Sequence, residues 1–142
     1  MKAENTGWRP DHLGPDYEMR HIMQPDDYSG KVRCSVIRRL SAARSGKAIL
    51  YVHGFSDYFL QKEMADMFVA SEYDFYAVDL RKYGRSLMKG QKMFQVRDMH
   101  EYFADIDAAI EIMREEGAGE IALFGHSTGG LTTLSLIHIS EP

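Results

Sequence analysis

The chain has 142 residues, enough for one domain with one core, and its 44% hydrophobic and 27% charged content is an ordinary globular balance. With 17 basic and 21 acidic residues the net charge is −4, which argues against nucleic acid or an anionic membrane surface as partner. Cys34 is the one cysteine, so no intrachain disulfide forms; with no apolar leader at residues 1–8 and no run of membrane-spanning length, the reading is a soluble cytoplasmic protein.

Residues 1–16 carry Gly7, Pro10, Gly14 and Pro15 without periodicity and read as an irregular arm, which Trp8 is expected to pack onto the body. From Tyr17 to Met23 the pattern alternates, with Tyr17, Met19, His21 and Met23 on one face. Pro25 to Gly30 is a turn cluster. Val32, Cys34 and Val36 then alternate with Lys31, Arg33 and Ser35. This predicts an antiparallel hairpin at a sheet edge, half buried and half solvated. Arg38, Arg39 and Arg44 read as a solvated edge rather than an anion site.

Ala48 to Val52 is a continuous apolar run between Gly46 and Gly54, as in a strand buried on both faces. His53-Gly54-Phe55-Ser56-Asp57 follows as a polar loop. Leu60, Met64, Met67, Phe68 and Ser71 fall at helical spacing and predict an amphipathic helix over 59–71. Asp74 to Asp79 is a second buried strand, and Asp79 to Ser86 a polar loop at its end. After a loop over 87–97, Met99, Tyr102, Phe103, Ile106, Ala109, Ile110 and Met113 trace the 3.6-residue period. Glu101, Asp105, Glu111 and Glu115 fall off that stripe. Asp98 reads as the N-cap with Glu101 as its capping-box partner, and Gly117 as the stop. Ile121 to Phe124 is the third buried strand. The order β-β-β-α-β-α-β predicts an α/β fold whose later strands are parallel.

Gly125, Ser127 and Gly129 spell G-x-S-x-G just after that strand. In a strand–turn–helix setting this is a nucleophile elbow: glycines let backbone pass close to backbone, and the strained serine lifts its hydroxyl above the sheet edge. Three loops then sit at the C-terminal ends of predicted buried strands, where an open α/β sheet keeps its ligand site. They are His53-Gly54-Phe55, Asp79-Leu80-Arg81 through Gly84-Arg85-Ser86, and Gly125-His126-Ser127-Thr128-Gly129.

Their order and content resemble the α/β-hydrolase superfamily, nearest to the branch of monoacylglycerol lipases, lysophospholipases and serine aminopeptidases. In that branch H-G-F, D-x-R-x-x-G-x-S and G-H-S-x-G-G loops follow the third, fourth and fifth strands. The resemblance implies Ser127 as nucleophile, the backbone N–H groups of Phe55 and Thr128 as oxyanion hole, and a small acyl-ester or lipid-like substrate hydrolysed through an acyl-enzyme. His53 and His126 read as loop-shaping and variable positions rather than as the general base. Asp79, Arg81 and Gly84 read as scaffold, and Tyr83 stands where the D-x-R-G-H-G-x-S version has histidine. Serine at the elbow, where haloalkane dehalogenases and epoxide hydrolases carry aspartate, favours acyl transfer. No C-x-x-C, H-E-x-x-H, P-loop or G-x-G-x-x-G pattern occurs, so no metal and no cofactor is expected. The alternatives are a peptidase or acyltransferase on the same site, or a non-catalytic binding protein of this fold. Oligomeric state is not readable.

The family order is Ser, then Asp or Glu, then His. After Ser127 come only His138 and Glu141, in the wrong order and too close to the serine. The expectation is therefore the N-terminal half of an α/β-hydrolase fold, inactive by itself, with the strand before Ser127 left as an apolar edge. Residues 17–133 form the partial domain. Leu134 to Pro142 break the pattern of the helix behind the elbow, and one back-translation of these nine residues resembles a transposon adapter used in preparing sequencing libraries. The coding DNA over 134–142 is expected to carry the adapter codons; any other codon choice there would speak for authentic protein sequence.

Overall fold

The computed structural model describes residues 7–53, 62–93, 96–97 and 99–125. The elements are β1 (Arg9–Asp11), β2 (Gly14–Asp27), β3 (Gly30–Arg39), β4 (Lys47–Val52), α1 (Lys62–Ala70), β5 (Asp74–Asp79), α2 (Phe103–Glu115) and β6 (Glu120–Gly125). Six strands form one mixed sheet in the order β1-β2-β3-β5-β4-β6. The first three strands and β5 pair antiparallel, while β4 pairs parallel with β5 on one side and β6 on the other.

Strand alternation sorts the core onto the two faces. Ala48, Leu50 and Val52 point with Val36, Tyr76 and Val78 toward Ile106, Ala109 and Met113 of α2. Ile49 and Tyr51 point with Ile37, Phe75 and Ala77 toward Ala65, Met64 and Phe68 of α1. The unbroken apolar runs of β4 and β5 thus reflect helices on both sides. Helix α2 stops where the sequence places its stop: Gly117 has φ +106°, and Ala118 N–H reaches back to Met113 C=O at 3.0 Å while Gly117 N–H reaches Arg114 C=O at 3.1 Å. This is a Schellman ending, and only glycine enters that conformation cheaply. No helix among the described residues is long and apolar enough to cross a membrane.

Several readings change. The stretch taken as an irregular arm contains β1, whose Arg9 pairs Met19 of β2. The β2–β3 hairpin is therefore not the sheet edge: β1 covers one side of it and β5 the other. Its turn is tighter than the Pro25–Gly30 cluster, because Asp27 Oδ1 accepts both the N–H (2.7 Å) and the hydroxyl (2.6 Å) of Ser29. The helix expected from Asp98 begins as a 3₁₀ turn, Met99–Tyr102, before α2. Asp98, the expected N-cap, lies outside the described residues; the Glu101 carboxylate accepts the N–H of Arg97 at 2.8 Å.

The arginines of the supposed solvated edge are tied down. Arg38 bridges Glu18 and Glu116 and lies 3.9 Å from the centroid of the Trp8 ring. Trp8 Nε1 donates to Glu116 at 2.8 Å, so Trp8 packs the N-terminal segment as expected. Arg39 pairs Asp66 of α1, and Arg44 pairs Asp74.

Asp105 falls off the apolar stripe of α2, yet it is 0% exposed. Its carboxylate takes Arg81 Nε (3.0 Å), Arg81 Nη2 (2.9 Å), the Arg81 backbone N–H (2.9 Å) and Gln24 Nε2 (3.2 Å). Burial works against the Arg81 charge, but the hydrogen bonds and attraction of Asp105 more than offset it and hold the guanidinium above its ordinary pKa. Removing one member of such a pair leaves the other buried and unpaired. Asp105→Ala should therefore lower unfolding free energy by about 3–5 kcal/mol in urea titrations, whereas Arg81→Met combined with Asp105→Leu should cost far less.

Candidate active site

The parallel strands β5, β4 and β6 end side by side. Val52 is in register with Val78 on one side and Gly125 on the other. The residues that follow are His53, the Asp79–Ser86 loop, and His126-Ser127-Thr128. The proposed nucleophile Ser127, the oxyanion-hole residues Phe55 and Thr128, and His126, His138 and Glu141 all lie outside the described residues. What the structure describes is the set of strand ends that lead into those segments.

His53 is buried just beyond β4. Its Nε2 accepts the backbone N–H of Leu80 at 3.0 Å. A ring nitrogen that accepts an amide proton carries none itself, so His53 is held with Nε2 bare and its lone pair occupied. That agrees with a loop-shaping role rather than a general base. Tyr83 packs against the same imidazole, with ring centroids 4.5 Å apart, and its other side meets Tyr102 edge-on at 6.1 Å. A flat, buried ring at position 83 thus packs between His53 and Tyr102.

The Asp79–Ser86 loop carries four charged side chains, all of them enclosed. Asp79, Arg81, Lys82 and Ser86 are buried. Asp79 Oδ2 takes the Arg85 backbone N–H at 3.0 Å and Arg85 Nη1 at 2.9 Å. Arg85 also meets Asp11 of β1 through Nε at 2.7 Å and Nη2 at 2.8 Å, a two-point contact that suits a planar guanidinium and a carboxylate. Lys82 pairs Asp27 at 2.7 Å, and Arg81 pairs Asp105. Asp79 and Arg81, expected as scaffold, make the contacts of scaffold. Asp105, Asp27 and Asp11, the partners of Arg81, Lys82 and Arg85, are not found from the sequence. Only Asp105 left a signal: it lies three residues after Tyr102, buried at the end of the 3₁₀ turn, and four before Ala109, on the buried face of α2.

A second buried chain lies beside the loop. Ser86 Oγ donates to the Asp79 carbonyl at 2.5 Å and is 3.0 Å from Ser35 Oγ, which is 2.8 Å from His21 Nδ1. With the Ser86 proton on that carbonyl, Ser35 must donate to Ser86, and His21 must donate Nδ1–H to Ser35. Burial, with the nearby charges of Arg33 and Arg9, pushes the His21 pKa down from 6.5 to about 4. Among the described residues no group of three or more His, Cys, Asp and Glu side chains converges as a metal site.

The family model for serine aminopeptidase, S33, matches residues 43–142. No curated protein matches the chain. Similar solved structures include a probable hydrolytic enzyme of Pseudomonas aeruginosa PAO1, with a TM-score of 0.68 and 16% identity over 85% of this chain and 37% of that one. A soluble variant of monoglyceride lipase from Saccharomyces cerevisiae, solved with a substrate analogue, gives a TM-score of 0.66 and 20% identity over 84% of this chain and 40% of that one. An esterase of Pyrococcus furiosus gives 0.65 and 20% over 96% of this chain and 49% of that one. At these identities the likeness is one of fold, the N-terminal portion of the α/β-hydrolase architecture. The chain spans less than half the length of each of these three structures.

The depressed His21 pKa has a testable sign. A histidine held neutral by the fold stabilises fully above its unfolded value of 6.5, and that stability is lost as pH falls from 6.5 toward 4. His21→Gln should flatten the pH dependence of unfolding free energy across this window by about 3 kcal/mol, measured as the difference between parent and variant.

Proposed function

Because the chain belongs to the serine aminopeptidase, S33, family of α/β-hydrolases, we propose that the full-length protein is a serine hydrolase acting on a small acyl-ester or lipid-like substrate. Ser127 is its nucleophile. The observation that carries this reading is the register Val52↔Gly125 beside Val52↔Val78. It brings β6, which leads into the G-H-S-x-G segment, beside β4, which leads into His53, and α/β folds place their chemistry at that strand-end edge.

In this mechanism the Ser127 hydroxyl attacks the substrate carbonyl. The N–H groups of Phe55 and Thr128 hold the developing oxyanion, a term on the order of 3 kcal/mol per donor. The leaving alcohol takes the serine proton by way of a histidine base, and water then releases the acid. His53 is not that base, since its Nε2 already accepts the Leu80 amide. The base and its carboxylate follow Ser127 in the family's order of Ser, acid, His.

Amide cleavage is the second reading, favoured by the family's description as serine aminopeptidases. Both readings share Ser127 and differ in the leaving group. A fluorophosphonate probe should label the full-length protein and leave Ser127→Ala unlabelled. Equal labelling of the two would remove Ser127 from the mechanism. Parallel assays with monoacylglycerol esters and aminoacyl amides should show turnover of the esters, and exclusive amide turnover would reverse the choice between the two readings.

A further inference from the structure

Lys82 is the residue of the site loop whose backbone and side chain pull in opposite directions. The Leu80 carbonyl accepts the Tyr83 N–H at 3.1 Å, which closes a four-residue turn with Lys82 third. Lys82 has φ +65° there, a left-handed value that glycine takes freely and a lysine resists. An unconstrained lysine would relax its backbone and keep its ammonium in water. This one does neither: it is 0% exposed.

The ammonium is captured. Its Nζ lies 2.7 Å from Asp27 Oδ2, with side-chain exposures of 0% and 9%. The Tyr28 ring, next in the β2–β3 turn, lies 4.8 Å from the same Nζ. Burial pushes the Asp27 carboxyl up, but the hydrogen bonds from Lys82 and Ser29 more than offset it and hold its pKa below the usual value. Backbone strain of this kind persists where surrounding contacts over-determine it.

Both ends of the strained turn touch one residue. Leu80 gives its N–H to His53 Nε2, and Tyr83 lays its ring against the His53 imidazole. His53 leads directly into Gly54-Phe55.

We infer that Lys82 is a positioning residue: anchored by Asp27 in the β2–β3 turn, it holds the Leu80–Tyr83 turn in its left-handed form and so fixes His53. The catalytic half of this inference rests on the proposal that Phe55 supplies an oxyanion donor; the conformational half does not.

Two readouts test the two halves. The first is exchange of the Leu80 amide, followed by NMR. Asp27→Asn and Lys82→Met should each speed it by about tenfold or more, since both free the turn to relax. Combining Lys82→Gly with Asp27→Asn should return it to the parent rate, because glycine holds φ +65° without an anchor. The second is turnover by the full-length protein. The two single variants should lose about 10- to 100-fold in kcat at unchanged KM, short of losing an oxyanion donor outright, and the combined variant should recover most of it. Unchanged Leu80 exchange in both single variants would overturn the latch, as would failure of the combined variant to restore it. Faster exchange with unchanged kcat would overturn its catalytic role. A parent that is not labelled at Ser127 would instead defeat the hydrolase reading, and Leu80 exchange would still decide the latch.

Discussion

Three charged side chains enter the segment after β5, and water does not follow them. Arg81, Lys82 and Arg85 must therefore each find an opposite charge in the protein, since an isolated buried ion costs several kcal/mol. Arg81 takes Asp105 from α2, Lys82 takes Asp27 from the hairpin turn, and Arg85 takes Asp11 from β1 together with Asp79 from β5 itself. One loop thus dictates where three other parts of the chain must sit. Their own hydrophobic faces would allow small slides and rotations; a two-point guanidinium–carboxylate contact does not.

The pairs are not equal. Arg39–Asp66 and Arg44–Asp74 each have one member well exposed, and pairs of this sort contribute roughly 0–1 kcal/mol. Arg81–Asp105 is enclosed on both sides, as is Arg85–Asp11. An apolar replacement of either enclosed pair could match its stability. What the charges add is direction, because each salt bridge sets the orientation of a loop segment as well as its depth. Around them the apolar sheet faces supply the cohesion, with β4 and β5 sealed between α1 and α2.

In the mechanism proposed above, this arrangement would bear on catalysis through rigidity. An oxyanion hole works when its donors are already in place, so that no reorganisation accompanies charge development. His53, the residue that follows β4, is held from beneath. His53 is wedged between the Leu80 amide and the Tyr83 ring, and the turn that carries both is anchored by salt bridges to α2 and the hairpin. The buried His21–Ser35–Ser86 chain closes the same layer on its far side, ending on the Asp79 carbonyl.

Much of the architecture is local enough to read from residue order. The apolar runs Ala48–Val52 and Phe75–Val78, the 3.6-residue stripe from Tyr102 to Met113, and the stop at Gly117 are one-dimensional patterns set by strand and helix periods. The three strand-end motifs are likewise short and ordered along the chain. Periodicity could not find β1, because three residues with a proline among them make no pattern and pairing with β2 alone makes them a strand. Nor could it tell that Asp105 points inward, that Asp27 waits for Lys82, or that Lys82 holds a backbone angle suited to glycine. Those facts depend on carboxylates that lie 24, 55 and 74 residues away along the chain from Arg81, Lys82 and Arg85. Residue order alone determined the class of the fold and the chemistry its motifs resemble. The tertiary structure decided which charges are buried and therefore which must pair, because burial is a property of three-dimensional neighbours and not of sequence position.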